Sequence, residues 1–139
     1  CAVLLTPSKA MAKRVARALA AQLARLPRRD AIANVLRQRG ALIVVRNLDE
    51  AVEIAEVVAP EHTEIMVRSP QRLAKRIKNS GALFLGDYAP APLGDYLAGP
   101  NHVLPTGGTA RFFSPLGVYD FVKRTSVVSA SRAGLRRLA

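Results

Sequence analysis

Apolar residues in this chain fall into short runs separated by stretches with helical spacing, and the alternation predicts strand and helix in turn. Ala2 to Leu5 is an apolar run of strand length. Ser8 follows it and is placed to cap a helix whose apolar positions Met11, Val15, Leu19, Leu23 and Leu26 recur every three or four residues. Pro27 ends that helix. Asp30 is placed to cap a second helix through about Gln38, with Ile32, Val35 and Leu36 inward and Gly40 as its stop. Ala41 to Val45, short and rich in β-branched residues, reads as a buried strand. Asn47, with Glu50 three positions on, resembles a capping box for a helix carrying Ala51, Val52, Ile54, Ala55 and Val58.

Pro60 closes that helix, which puts Glu61 and His62 at a helix-to-strand junction just ahead of a strand over Glu64 to Val67. Ser69-Pro70 opens a further helix with Leu73 and Ile77 inward, and Gly81 to Leu85 gives the next strand. A short helix is expected over Ala91 to Leu97, a loop over Ala98 to Thr109, a helix over Pro115 to Lys123 and extended chain over Thr125 to Ser129. Strands separated by helices specify an α/β fold with a mainly parallel sheet flanked by helices, in the manner of a partial Rossmann-like domain. No internal repeat or linker interrupts it. Residues 125–139 read as the start of a C-terminal element, since Ser131 to Ala139 has the pattern of a helix's first turns. At the other end Cys1 leads straight into an apolar strand, and both ends predict a segment of a longer chain.

A length of 139 residues fits one domain with a sizeable core, and an apolar content of 50% excludes a disordered chain. No apolar run approaches the roughly 18 residues of a membrane span, and the first residues lack the order of a signal peptide, so a soluble protein is expected. The single cysteine, Cys1, permits no internal disulfide and reads as an incidental residue rather than a nucleophile. Formal net charge is +11, from 21 Lys and Arg against 10 Asp and Glu, which by itself points to a polyanionic partner. The placement of the basic residues changes that picture. Lys9, Lys13, Arg14, Arg17 and Arg25 on the first helix, and Arg72, Lys75, Arg76 and Lys78 on a later one, alternate with apolar positions as the solvated face of an amphipathic helix does. No aromatic residues are interleaved with them for stacking on bases. A basic α/β module that binds nucleic acid or another polyanion stands as the alternative function.

The chemistry-bearing residues gather in two places. Glu61 and His62 are an adjacent acid and imidazole at a helix end, where turn backbone can aim both into one cleft and where His titrates near working pH. On composition alone the tripeptide reads first as a plain surface turn. Asp95 and His102 lie in a second stretch rich in Gly and Pro. A lone Asp95 makes no metal site, because zinc takes several N, O or S donors, and His102 alone reads as a loop histidine satisfied by backbone.

The motifs around these residues are long and ordered: Pro60-Glu61-His62, Ser80-Gly81-Ala82-Leu83-Phe84-Leu85-Gly86, Gly94-Asp95-Tyr96, Gly99-Pro100-Asn101-His102-Val103-Leu104-Pro105-Thr106-Gly107-Gly108-Thr109-Ala110, and Asp120-Phe121-Val122-Lys123-Arg124. In them the chain resembles histidinol dehydrogenase, the zinc-dependent enzyme of histidine biosynthesis that oxidises L-histidinol twice with NAD to give L-histidine. The resemblance implies that His62 is the acid/base that removes the alcohol proton, and that Glu61 activates water for the second oxidation. It implies further that Asp95 is one zinc ligand and that His102 contacts the substrate. The family takes its other zinc ligands from a Gln-x-x-His motif ahead of the matched stretch and from a histidine beyond it. No Gly-x-Gly-x-x-Gly follows a strand in this chain, so the NAD-binding region is expected elsewhere and no cofactor-binding residue is assigned. By the same resemblance the enzyme is a cytoplasmic homodimer. The resemblance makes this chain the central catalytic segment of that enzyme, expected to be inactive alone.

Overall fold

The computed structural model describes residues 1–138; Ala139, the end of the expected C-terminal element, lies outside the described residues. Strand β1 (Ala2–Thr6) is followed by two helices, α1 (Lys9–Leu23) and α2 (Arg29–Arg39), before the chain returns as β2 (Gly40–Val44). The two strands pair in parallel, from Ala2 opposite Gly40 to Thr6 opposite Val44. Helix α3 (Leu48–Val58) then leads into a second unit, in which β3 (His62–Ile65), α4 (Pro70–Ala74) and β4 (Ala82–Leu85) form a parallel pair with a helical crossover. The α/β class with parallel strands flanked by helices is therefore what the chain adopts. The strands are arranged as two two-stranded sheets rather than one continuous sheet. Beyond β4 come α5 (Ala91–Tyr96), two short 3-10 turns and α6 (Arg132–Leu138).

The caps show why the helices begin where they do. Ser8 Oγ accepts the Met11 N–H at 3.1 Å, satisfying one of the donors a helix leaves unpaired at its first turn. Asn47 Oδ1 accepts the Glu50 N–H at 2.9 Å in the same way. The returning arm differs from a capping box: Glu50 accepts the N–H of Arg46 at 2.6 Å, one residue earlier than Asn47. Asp30 does not cap α2. Arg28 holds the cap position without a side-chain bond, and Asp30 sits in the first turn, where its charge suits the positive end of the helix dipole.

The core lies in the second unit. Val52 of α3, Ile65 of β3 and Ile77 are buried together, with Val67, Leu73, Leu83 and Leu85 packed on them. Burying a side chain of this size removes about 1.5 to 3 kcal/mol of unfavourable hydration. Ile77 lies just past the end of α4, which stops at Ala74 instead of continuing through it. In the first unit neither α1 nor α2 has a buried residue: Ile32 and Leu36, expected inward, are half-buried, while Val35, expected inward, and the apolar positions Met11, Leu19 and Leu26 are exposed.

Two further expectations are corrected. β3 begins at His62, not Glu64, because the N–H groups of Gly81 and Ala82 donate to the carbonyls of Pro60 and Glu61 at 3.0 and 2.8 Å and carry the ladder back to the helix end. The helix expected over Pro115 to Lys123 is reduced to a 3-10 turn at Val118–Phe121, where Asp120 accepts the Gly117 N–H at 2.7 Å. Thr125 to Ser129, expected as extended chain, lies outside the helices and strands and joins neither sheet. None of the described helices is long and apolar enough to cross a membrane.

Candidate functional site

The site is built where α3 ends. Ala59 takes up the left-handed conformation, with φ +47°, and its N–H bonds the carbonyl of Ala55 at 2.8 Å, so the helix stops one residue before Pro60. Ala59 is fully buried, which holds a conformation uncommon for a residue with a side chain. Pro60 and Glu61 then leave the helix with their carbonyls pinned to Gly81 and Ala82, and His62 starts β3.

His62 is partly buried between two carboxylates. Its Nε2 lies 3.4 Å from Asp95 Oδ1 and its Nδ1 lies 3.7 Å from Glu61 Oε1. Both distances exceed an ordinary N–H···O bond of about 2.9 to 3.0 Å, so the imidazole is bracketed rather than locked. Asp95 reaches it from α5. That helix is tied to the same strand by Glu64, whose carboxylate accepts the Ala91 N–H at 3.0 Å. His62 and Glu64 are two residues apart on β3 and project from one face, so the strand's period of two brings both to the one helix. Thr63 alternates to the other side and bonds Ser80 at 2.8 Å.

Phe84 of β4 closes the site from below. Its ring stacks near the His62 imidazole with centroids 5.8 Å apart and planes inclined by 24°. Phe84 and Asp95 also line a cavity of about 230 Å³ whose walls include Gly81, Gly94, Pro100, Asn101, Leu104 and Pro115. This cavity has a carboxylate at one point of a largely apolar wall, as small-molecule sites commonly do.

The structure thus brings together Glu61, His62 and Asp95 of the residues singled out from sequence. His102 is on the neighbouring loop, exposed and outside the cavity lining, while Asn101 and Leu104 on either side of it reach the wall. Asn101 shapes that loop by accepting the Val103 N–H at 2.8 Å. Two residues were not singled out as site residues: Phe84, legible only as one apolar position in a strand, and Glu64, whose signal was its spacing of two from His62. For zinc the described residues do not suffice. Although Glu61, His62 and Asp95 meet, no three His, Cys, Asp or Glu side chains among the described residues are arranged so that they could hold a metal ion.

The chemistry available here is proton transfer at His62, with a carboxylate within reach of each ring nitrogen. Known proteins are similar to this chain in sequence and in fold. The family model for histidinol dehydrogenase matches residues 1–139. The histidinol dehydrogenase of Nitrosomonas europaea is 56% identical over 136 residues, covering 98% of this chain and 32% of that protein. That of Aquifex aeolicus is 50% identical over 137 residues, covering 99% and 32%. The crystal structure of histidinol dehydrogenase from Elizabethkingia anophelis superposes with a TM-score of 0.86 at 27% identity, covering 98% of this chain and 31% of that one. The chain spans about a third of the length of these relatives.

Proposed function

The chain belongs to the histidinol dehydrogenase family, and from that premise we propose that it supplies the acid/base part of an enzyme that oxidises L-histidinol to L-histidine. The observation that carries this reading is the His62 imidazole between Glu61 and Asp95, with Asp95 and Phe84, its neighbours, lining the cavity. In this reading His62 takes the proton of the substrate alcohol as the hydride leaves, and again that of the hydrated aldehyde in the second oxidation. Glu61, adjacent but turned to Nδ1, is free to take a proton from the water that hydrates the aldehyde. NAD, when bound, accepts the hydride; no residue of this chain is assigned to hold it.

Asp95 is proposed as one zinc ligand. No group of three His, Cys, Asp or Glu among the described residues could hold a metal ion, and the proton transfers rest on Glu61 and His62. His102 is proposed to contact the substrate, its loop forming one wall of the cavity through Asn101 and Leu104. The enzyme is proposed to act as a homodimer in the cytoplasm, with this chain as its central segment and residues 125–139 opening a C-terminal element. The alternative of a basic module binding nucleic acid is not favoured, since the chain's relatives are histidinol dehydrogenases over the whole matched length.

The division of labour is testable in the full-length enzyme that contains this segment. Single-turnover assays started from histidinol and from histidinal separate the two oxidations. Glu61→Gln is expected to slow conversion of histidinal more than that of histidinol, while His62→Asn slows both, each by about 10² to 10⁴. Equal losses on both substrates in the Glu61 variant would remove the assignment of water activation to that residue.

A further inference from the structure

Phe84, Gly94, Asp95 and His62 form a closed set of contacts that the proton-transfer chemistry leaves unused. The Phe84 ring is buried and stacks near the His62 imidazole. Its other edge faces α5 at Gly94, where an added Cβ would lie 2.6 Å from Phe84 Cε1 and 3.0 Å from Cζ. The next residue of the same helix, Asp95, is the one that approaches His62 Nε2. Gly94 has no left-handed conformation to require a glycine, and helix geometry would by itself favour alanine there. The space taken by Phe84 is what excludes a side chain.

We propose that Phe84 and Gly94 act together as positioning residues for His62. The missing side chain at Gly94 lets the Phe84 ring seat against α5, and the seated ring fixes the plane of the imidazole and its distance from Asp95. This deepens the reading of His62 as acid/base and rests on it for its kinetic consequence, though not for its geometry.

Two measurements test it. In the full-length enzyme, Phe84→Leu keeps an apolar group of similar reach but removes the flat face, and is expected to lower kcat about tenfold with KM within about twofold, as for a base displaced by a fraction of an ångström. Gly94→Ala displaces the ring by collision and is expected to match that loss. Combined with Phe84→Leu it should add little, because the flexible leucine yields to the new methyl, giving a strongly non-additive cycle. A higher KM with unchanged kcat in Phe84→Leu would make Phe84 a cavity wall only, and additive losses in the double variant would break the link to Gly94.

The second measurement does not depend on activity. With two histidines in the chain, selective labelling of imidazole carbons resolves His62 from His102. The C–H protons of His62 are expected to show a ring-current displacement that disappears in Phe84→Leu and that His102 lacks. If the displacement is absent in the unaltered chain, the proposal fails even where either variant does not fold. If it is present while Glu61→Gln and His62→Asn leave the enzyme fully active, the acid/base reading fails and the geometry stands.

Discussion

Two stretches of this chain are similarly apolar and behave in opposite ways. Between Leu48 and Leu85 the residues Val52, Ile65 and Ile77 close on one another and are at most 9% exposed. Between Phe112 and Val128 the same kinds of side chain stand in the open: Phe121 is 78% exposed and Val128 91%. Apolar content does not distinguish them. In the first stretch the period of each element brings its apolar face to a neighbour: α3 buries Ala51, Val52 and Ala55 at helical spacing, and β3 and β4 turn Ile65, Leu83 and Leu85 onto that core. In the second, one 3-10 turn and irregular chain present Val118, Tyr119 and Phe121 in succession, so no single face can hold them. Arg124 lies over the Tyr119 ring at 5.1 Å, which shields part of one residue only. The catalytic candidates sit on the closed stretch and its near border.

The largest effect expected of the open stretch is on association. Exposed aromatic and branched side chains in a contiguous patch tend to be buried between molecules, against the opposition of a net charge of +11. The 139-residue chain is therefore expected to form dimers or larger species, seen by light scattering at moderate salt. A monodisperse monomer at a concentration on the order of 100 µM would show that the Phe112–Val128 stretch does not behave as a sticky surface.

Stability sharpens the same comparison. Ile65→Ala leaves a cavity in the core and is expected to cost about 2 to 5 kcal/mol in urea unfolding. Phe121→Ala, though it removes more apolar surface, is expected to change stability by no more than about 0.5 kcal/mol at concentrations too low for association. Comparable losses in the two variants would mean that the open stretch is packed in solution.

How much of this was legible in the sequence follows the same division. Ser8 and Asn47 announced two helix starts because a side-chain oxygen at that position has one obvious use, and both bonds form. The junction at Pro60-Glu61-His62 was equally legible, since proline ends a helix wherever the next turn would need its N–H. Its left-handed Ala59 was not, because only the buried surroundings hold alanine there. The inward face expected of α2 is only half covered for a related reason: spacing shows that a face is apolar, and only the other elements decide whether anything covers it. At the site, adjacency revealed Glu61 and His62, and the motif resemblance pointed to Asp95. The 33-residue gap between His62 and Asp95 is closed by β3, β4 and α5 acting together. The stacking of Phe84 on His62 is a tertiary contact with no local signal.

The smallest effect, and the one that isolates a single interaction of the closed stretch, belongs to Glu50 at the start of α3. Its carboxylate accepts the backbone N–H of Arg46 and meets the Arg46 guanidinium at 3.2 Å, and these two contacts, the backbone bond foremost, hold its pKa below the ordinary 4.5. A carboxyl whose pKa is lower in the folded chain than in the unfolded one binds fewer protons when folded. Its contribution to stability is then complete above about 4.5 and is lost as pH falls through that value and on through the lowered folded pKa. Glu50→Gln keeps an oxygen that can accept the Arg46 N–H but carries no charge to protonate. The unaltered chain is thus expected to be more stable than Glu50→Gln at neutral pH, with the difference narrowing as unfolding is measured at successively lower pH below 4.5. High salt should weaken the guanidinium part at neutral pH, since Arg46 is largely exposed. A difference that stays constant from neutral pH into the acid range would mean that Glu50 acts at this helix start through its shape and not its charge.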